Sequence, residues 1–214
     1  MHLTTQGLRE AESHLQHVDP VMAKLIAVWG PCRLRRRRNR FAMLARSVIS
    51  QQISTKAAQS IQGRLSERID GQWSAESLDA LELDDLRGVG VSPQKAGYLQ
   101  DLTRLVLNGT VNLNQIGRLD DEQVISRLIQ VRGIGRWTAQ MFLMFALARP
   151  DVFPDDDLGI RRGIERLYGL PPDSDRQRYH EISRCWSPFC TVACWYCWRS
   201  GESPPKAQST RSNR

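Results

Sequence analysis

Phe41, Leu44, Ala45, Val48 and Ile49 recur at i, i+3, i+4, i+7 and i+8, the spacing that puts apolar side chains on one face of an α-helix. The pattern predicts a helix that ends at the polar step Ser50-Gln51-Gln52. Ser92-Pro93 reads as a helix start, with Ser at the N-cap and Pro at the first helical position, leading into Ala96, Leu99, Leu102 and Val106. Asp120 with Gln123 resembles a capping box and predicts a helix from Glu122 to Gln130. A further helix is expected from Trp137 to Leu147, closed by Pro150, and a last one from Tyr179 to Trp198, interrupted at Pro188. Nowhere do Val, Ile and Thr alternate with polar residues over the length of a strand, so the expected fold is all-α. The polar, Pro/Ser-rich tail from residue 201 to 214 is expected to be disordered.

With 214 residues the chain has room for a sizeable core, in one domain or two small ones. Lys and Arg number 30 against 23 Asp and Glu, a net +7 that suits a polyanionic partner without demanding one. The longest apolar run, Met141 to Ala148, is far below the roughly 20 residues of a membrane span. The charged N-terminus shows no secretory segment, so a cytoplasmic protein without a membrane partner is expected, nucleoid-associated if bacterial. Five cysteines, an odd number, point to reduced thiols over a disulfide framework.

Two short stretches have no explanation in packing. Arg132-Gly133-Ile134-Gly135 precedes the Trp137 helix, and a weaker echo, Arg87-Gly88-Val89-Gly90, precedes the Pro93 helix. Glycines allow positive φ and close approach of another chain, and amides at the start of the following helix can bind phosphate. The alternative is a plain helical hairpin in which glycine only terminates the first helix. The Val89 turn runs into Ser-Pro and reads as structural. About twenty residues on, Asp155-Asp156-Asp157 follows Pro154. These aspartates could hold a hard cation, cap a helix beginning near Leu158, or include a catalytic carboxylate. Adjacent aspartates lack the alternation, Gly and Glu of a calcium loop, which argues against the cation.

Together, VRGIGRWTAQ and VFPDDDLGIRRG resemble the helix-hairpin-helix and catalytic-aspartate region of the DNA glycosylase superfamily. SVISQQISTKAA, Ser47 to Ala58, resembles a signature of its alkylated-base branch, the DNA-3-methyladenine glycosylase II family. CWSPFCTVACWYCWR, Cys185 to Arg199, is similar to that branch's C-terminal helix. The likeness is collinear over about residues 15 to 200 and resembles the short members, which lack an N-terminal β domain. It implies two helical subdomains with the active site in the cleft between them. Residues 31–149 would form a barrel carrying the hairpin, and residues 1–30 would join 150–200 in the other subdomain.

The resemblance implies excision of alkylated purines from double-stranded DNA by a monomer that requires no cofactor. Asp157 would be the catalytic carboxylate, with Asp155 and Asp156 as cap and surface residues. Trp137 stands where bifunctional relatives carry a Schiff-base lysine and would instead line the base pocket with Trp198. DNA contact would come from Gly133, Ile134, Gly135 and Arg136. Gln52 would be the wedge that fills the gap left by the extruded base, with Ile53 as an alternative wedge and a helix-cap role for Gln51. Carbonyls of Ile129, Val131 and Ile134 would hold a structural K+ or Na+. Arg33 to Arg38 forms either a phosphate contact or a solvated face. Cys185, Cys190, Cys194 and Cys197 follow C-x4-C-x3-C-x2-C, unlike the C-x6-C-x2-C-x5-C of iron–sulfur relatives, and buried free thiols are expected over a cluster or zinc. Two rivals stay open: another superfamily glycosylase, including a bifunctional glycosylase/lyase or an oxidised- or mispaired-base enzyme, and a helix-hairpin-helix module that binds DNA without catalysis.

Overall fold

The computed structural model describes residues 3–203; residues 1–2 and 204–214, the latter most of the tail expected to be disordered, lie outside them. All regular structure among the described residues is helical, as the pattern predicts. In chain order the helices are α1 (Thr5–Val18), α2 (Pro20–Trp29), α3 (Arg40–Ser50), α4 (Thr55–Arg68), α5 (Ala75–Asp79), α6 (Leu83–Gly88), α7 (Pro93–Leu107), α8 (Asp121–Leu128), α9 (Arg136–Phe145), α10 (Leu158–Tyr168), α11 (Arg176–Ser183) and α12 (Cys190–Arg199). The chain divides into two compact units, Arg36–Ala148 and a discontinuous one from Met1–Arg35 with Arg149–Arg214.

The continuous unit holds α3 to α9. Its helices start where a side chain accepts the first orphan amides: Asn39 for α3, Ser54 for α4 and Ser92 for α7. Asp120 and Gln123 form the full capping box, at 2.8 and 3.2 Å, and α8 ends at Leu128, two residues short of the sequence expectation. Leu44, Ala45, Val48 and Ile49 of α3 are completely buried, as are Leu102, Leu128 and Phe142. Seven consecutive residues of α9, Thr138 to Met144, are buried, so this helix runs through the core of the unit, with Arg136 and Trp137 at its start exposed and Phe145 at its end half-buried. The Val89 turn is structural: Gly90 takes φ +94°, the Arg64 side chain lies against it, and Arg64 Nε donates to the Val89 carbonyl at 2.9 Å.

The discontinuous unit holds α1, α2 and α10 to α12. Its apolar core encloses a buried carboxylate. Asp19, 5% exposed, accepts from the Val21 and Met22 amides at the start of α2, and from Tyr168 Oη (2.5 Å) and Trp186 Nε1 (2.8 Å). One carboxylate thus ties α2 to α10 and to the short turn Arg184–Trp186. Burial, reinforced by the Asp19 charge, pushes the Tyr168 phenol far above its ordinary value. The predicted helix from Tyr179 to Trp198 is two helices, α11 and α12. Pro188 offers no N–H, and Asp151 supplies the new start by accepting from Ser187 Oγ (2.6 Å) and the Cys190 amide (3.1 Å). Helices α10 and α12 pack closely enough that a Cβ on Gly163 would lie 2.6 Å from the Cys197 carbonyl oxygen.

Candidate active site

The hairpin joins α8 to α9 through residues 129–135. Gly133 adopts φ +82°, and a Cβ there would collide with the ring of Tyr98 from α7. Its glycine is therefore required twice over, by backbone conformation and by close packing, which corrects the expectation that packing does not explain this stretch. The Arg132 amide donates to Asp101 Oδ2 of α7 at 2.8 Å, and Ile134 N–H donates to the Val131 carbonyl at 3.0 Å. Gly135 is the N-cap of α9 and has open space where a Cβ would point. As a glycine it makes no side-chain cap bond. Arg136 is held in a two-pronged ion pair with Glu122 of α8, which draws its guanidinium along the hairpin.

Trp137 opens α9 and is 43% exposed. With Met141 and Phe145, at i+4 and i+8, it forms one wall of a cavity of about 630 Å³ in the continuous unit. Met43 and Ala58 continue the apolar lining; Arg37, Arg46, Gln51 and Gln52 bring polarity. The volume lies within the usual range of small-molecule pockets. Gln52 and Ile53 are exposed on the loop between α3 and α4, and Gln52 takes φ +55°, a left-handed conformation unusual for a residue with a Cβ. Gln51 is the C-cap residue of α3, and its side-chain amide also donates to the Gly133 carbonyl at 2.8 Å.

In the discontinuous unit, Asp157 is 8% exposed and is itself the N-cap of α10. Its Oδ1 accepts from the Ile160 amide (2.9 Å) and from Trp198 Nε1 (2.8 Å). This corrects the expectation that a neighbouring aspartate caps the helix. Asp156 is ion-paired with Arg176, and Asp155 meets both Arg176 (3.5 Å) and His180 (3.0 Å) of α11. Trp198, expected as a pocket-lining aromatic, spends its indole N–H on Asp157. The notch that admits its ring is Gly159, where a Cβ would lie 2.9 Å from Trp198 Cδ1 and 3.1 Å from Asp157 Oδ1.

Ile129 closes α8 as its C-cap, where carbonyls point past the helix end and the dipole is negative. The Val131 carbonyl, expected with those of Ile129 and Ile134 as a cation ligand, accepts the Ile134 amide at 3.0 Å. Cys190, Cys194 and Cys197 are buried free thiols and Cys185 is exposed. Among the described residues no three His, Cys, Asp or Glu side chains gather where a metal could be held. Burial pushes the Cys190, Cys194 and Cys197 thiols well above their ordinary value, and Cys32 up to about 12. The polar stripe of α7, Lys95, Tyr98 and Asp101, was missed in the sequence; its i, i+3, i+6 spacing was the available signal.

An all-helical chain with this hairpin and this capped aspartate matches a family described as "HhH-GPD superfamily base excision DNA repair protein" over residues 45–188, and it belongs to that superfamily. More particularly, it is 34% identical to DNA-3-methyladenine glycosylase 1 of Schizosaccharomyces pombe over 92% of this chain and 89% of the relative. The solved structure of the 3-methyladenine DNA glycosylase of that yeast, in complex with abasic DNA, superposes with a TM-score of 0.78, covering 89% of this chain and 95% of that one at 34% identity. A DNA-3-methyladenine glycosidase from Bacillus halodurans gives 0.79 at 32% identity, covering 90% of this chain and 89% of that one.

Proposed function

We propose that the protein is a monofunctional DNA glycosylase that extrudes alkylated purines of the 3-methyladenine and 7-methylguanine type and hydrolyses their N-glycosidic bond, initiating base excision repair. The observation that carries the reading is Asp157, a buried carboxylate anchored by two N–H donors at the positive end of α10. As the glycosidic bond lengthens, its electron pair leaves with the base and positive charge develops on the sugar. A fixed carboxylate stabilises that oxocarbenium-like state. Water then attacks the anomeric carbon and gives its proton to the carboxylate or through it to solvent. A base alkylated to a cation departs neutral, which weakens the bond before any help from the protein.

The remaining residues divide the work of recognition. The start of α9 with Gly133, Ile134, Gly135 and Arg136 takes the DNA backbone, and a monovalent cation on the carbonyls of Ile129, Val131 and Ile134 would supply positive charge beside it. Trp137 and the cavity behind it receive the extruded base, and Gln52 enters the vacated stack. Tryptophan has no amine for a Schiff base, which opposes a lyase reading. A module that only binds DNA gains nothing from a buried carboxylate anchored by two donors, which opposes the non-catalytic reading.

The test is base release from a methylated duplex. The wild type should free 3-methyladenine and leave an intact abasic strand, with no adduct trapped by borohydride. Asp157→Asn should lower the single-turnover rate by about 100-fold or more, in the range of removing one transition-state stabiliser, while duplex affinity stays equal or rises. Full activity of Asp157→Asn would overturn the assignment.

A further inference from the structure

Two loops of the continuous unit carry the proposed DNA contacts, residues 51–54 after α3 and residues 131–135 of the hairpin, and both are fastened to one stripe of α7. We propose that Lys95, Tyr98 and Asp101 act as a strut that fixes the wedge loop in register with the hairpin, so that seating the hairpin on the backbone places Gln52 at the stack. The inference rests on the functional reading above and extends it to residues that touch neither base nor sugar.

Four contacts make the strut. Lys95 Nζ donates to the carbonyls of Ile49 (2.7 Å) and Gln51 (2.6 Å), at the C-terminal end of α3. Helix ends leave such carbonyls without intrahelical partners, and a cation at the negative end of the dipole satisfies both needs. Three residues on, the Tyr98 ring packs where a side chain on Gly133 would be. Three further, Asp101 Oδ2 holds the Arg132 amide at 2.8 Å, while its Oδ1 takes Arg104 at 2.7 Å. The Gln51 side chain then closes the loop directly onto the hairpin through the Gly133 carbonyl, at 2.8 Å.

The conformation of Gln52 gives this fastening its point. A left-handed backbone at a residue with a Cβ is strained and persists only where its surroundings impose it. Here Lys95 grips the carbonyl immediately before Gln52, and Ser54 caps α4 two residues after it, through the Ala57 amide at 3.2 Å. A helix end needing only termination commonly has glycine beyond it. This chain instead spends a half-buried lysine to hold a residue with a long side chain in that conformation, on the exposed loop proposed to enter the duplex. Extruding a base costs a few kcal/mol of stacking and pairing, and a wedge that arrives already ordered loses less of its binding energy to ordering itself.

Lys95→Met keeps the stem and removes both bonds. The measurements are affinity for undamaged duplex, extrusion followed by 2-aminopurine fluorescence next to the lesion, and single-turnover base release. Affinity should stay within about threefold, because the hairpin's phosphate contacts remain, whereas extrusion amplitude and release rate should both fall about tenfold, with Lys95→Arg recovering part of the loss. Unchanged extrusion and release would overturn the strut, as would a loss confined to affinity. Should Lys95→Met not fold, Gln51→Ala removes the direct loop-to-hairpin bond and decides by the same split: a selective loss of extrusion supports the strut, and wild-type extrusion overturns it. A wild type that extrudes the lesion without releasing it sinks the excision reading alone, and the fluorescence arm still decides the strut. A wild type that does not extrude sinks both.

Discussion

Oδ1 of Asp157 accepts the Ile160 amide and the Trp198 indole N–H together, so starting α10 and aiming the carboxylate are one act. A hydrogen bond to a charged acceptor contributes about 1.5–3 kcal/mol. Removing the indole donor frees the carboxylate to turn about its side-chain torsions without unmaking the helix, since the Ile160 amide stays. Trp198→Phe keeps an aromatic ring in the Gly159 notch and should reduce single-turnover release about 10- to 100-fold, leaving affinity for an abasic duplex near wild type. If release proceeds at full rate, the indole serves packing alone. The bond between the two side chains was not legible in the sequence. The segment around Cys185 to Arg199 marked Trp198 as an aromatic of interest, but a bond between side chains 41 positions apart leaves no periodic trace. The three adjacent aspartates were equally opaque, because which one caps depends on where α11 brings Arg176 and His180 to the other two.

At the scale of elements, what the sequence revealed is what local chemistry controls. Ser92-Pro93 starts α7 and Asp120 with Gln123 starts α8 because a cap acts within four residues of itself. The break between α11 and α12 was visible as Pro188, but the restart was not, since its acceptor is Asp151, 39 positions upstream of Cys190. Asp19 is the strongest instance. It caps α2 ahead of Pro20, and it is also the buried acceptor for Tyr168 and Trp186. Asp19→Ala removes the cap of α2 and leaves two buried donors without their acceptor, so it should destabilise the protein by about 3 kcal/mol or more. The measurement is the urea midpoint with the slope unchanged; a shift below about 1 kcal/mol would show that water or a neighbouring group replaces the carboxylate.

For the whole molecule, the net charge of +7 supports binding to a polyanion and says nothing of which base is removed. On the proposed reading, preference among lesions comes from the cavity beside Trp137, where two effects oppose one another. An aromatic face attracts a cationic alkylpurine by roughly 0.5–2 kcal/mol. Arg37 and Arg46 border the same cavity, and two like charges about 8 Å apart at an effective dielectric of about 20–80 repel by roughly 0.5–2 kcal/mol. Arg46 is partly withdrawn: its guanidinium lies 4.4 Å above the ring of Trp73. The terms nearly cancel in binding, so preference for cationic bases should rest on their weaker glycosidic bonds with Trp137 adding a several-fold gain. Both 3-methyladenine and 7-methylguanine should therefore be released, and neutral hypoxanthine more slowly. Trp137→Ala should slow release of the cationic bases about tenfold and that of hypoxanthine about threefold or less, read from single-turnover rates on matched duplexes. Equal losses for both classes would mean that Trp137 only shapes the wall it shares with Met141 and Phe145, and the attraction between ring and charge would have to be abandoned.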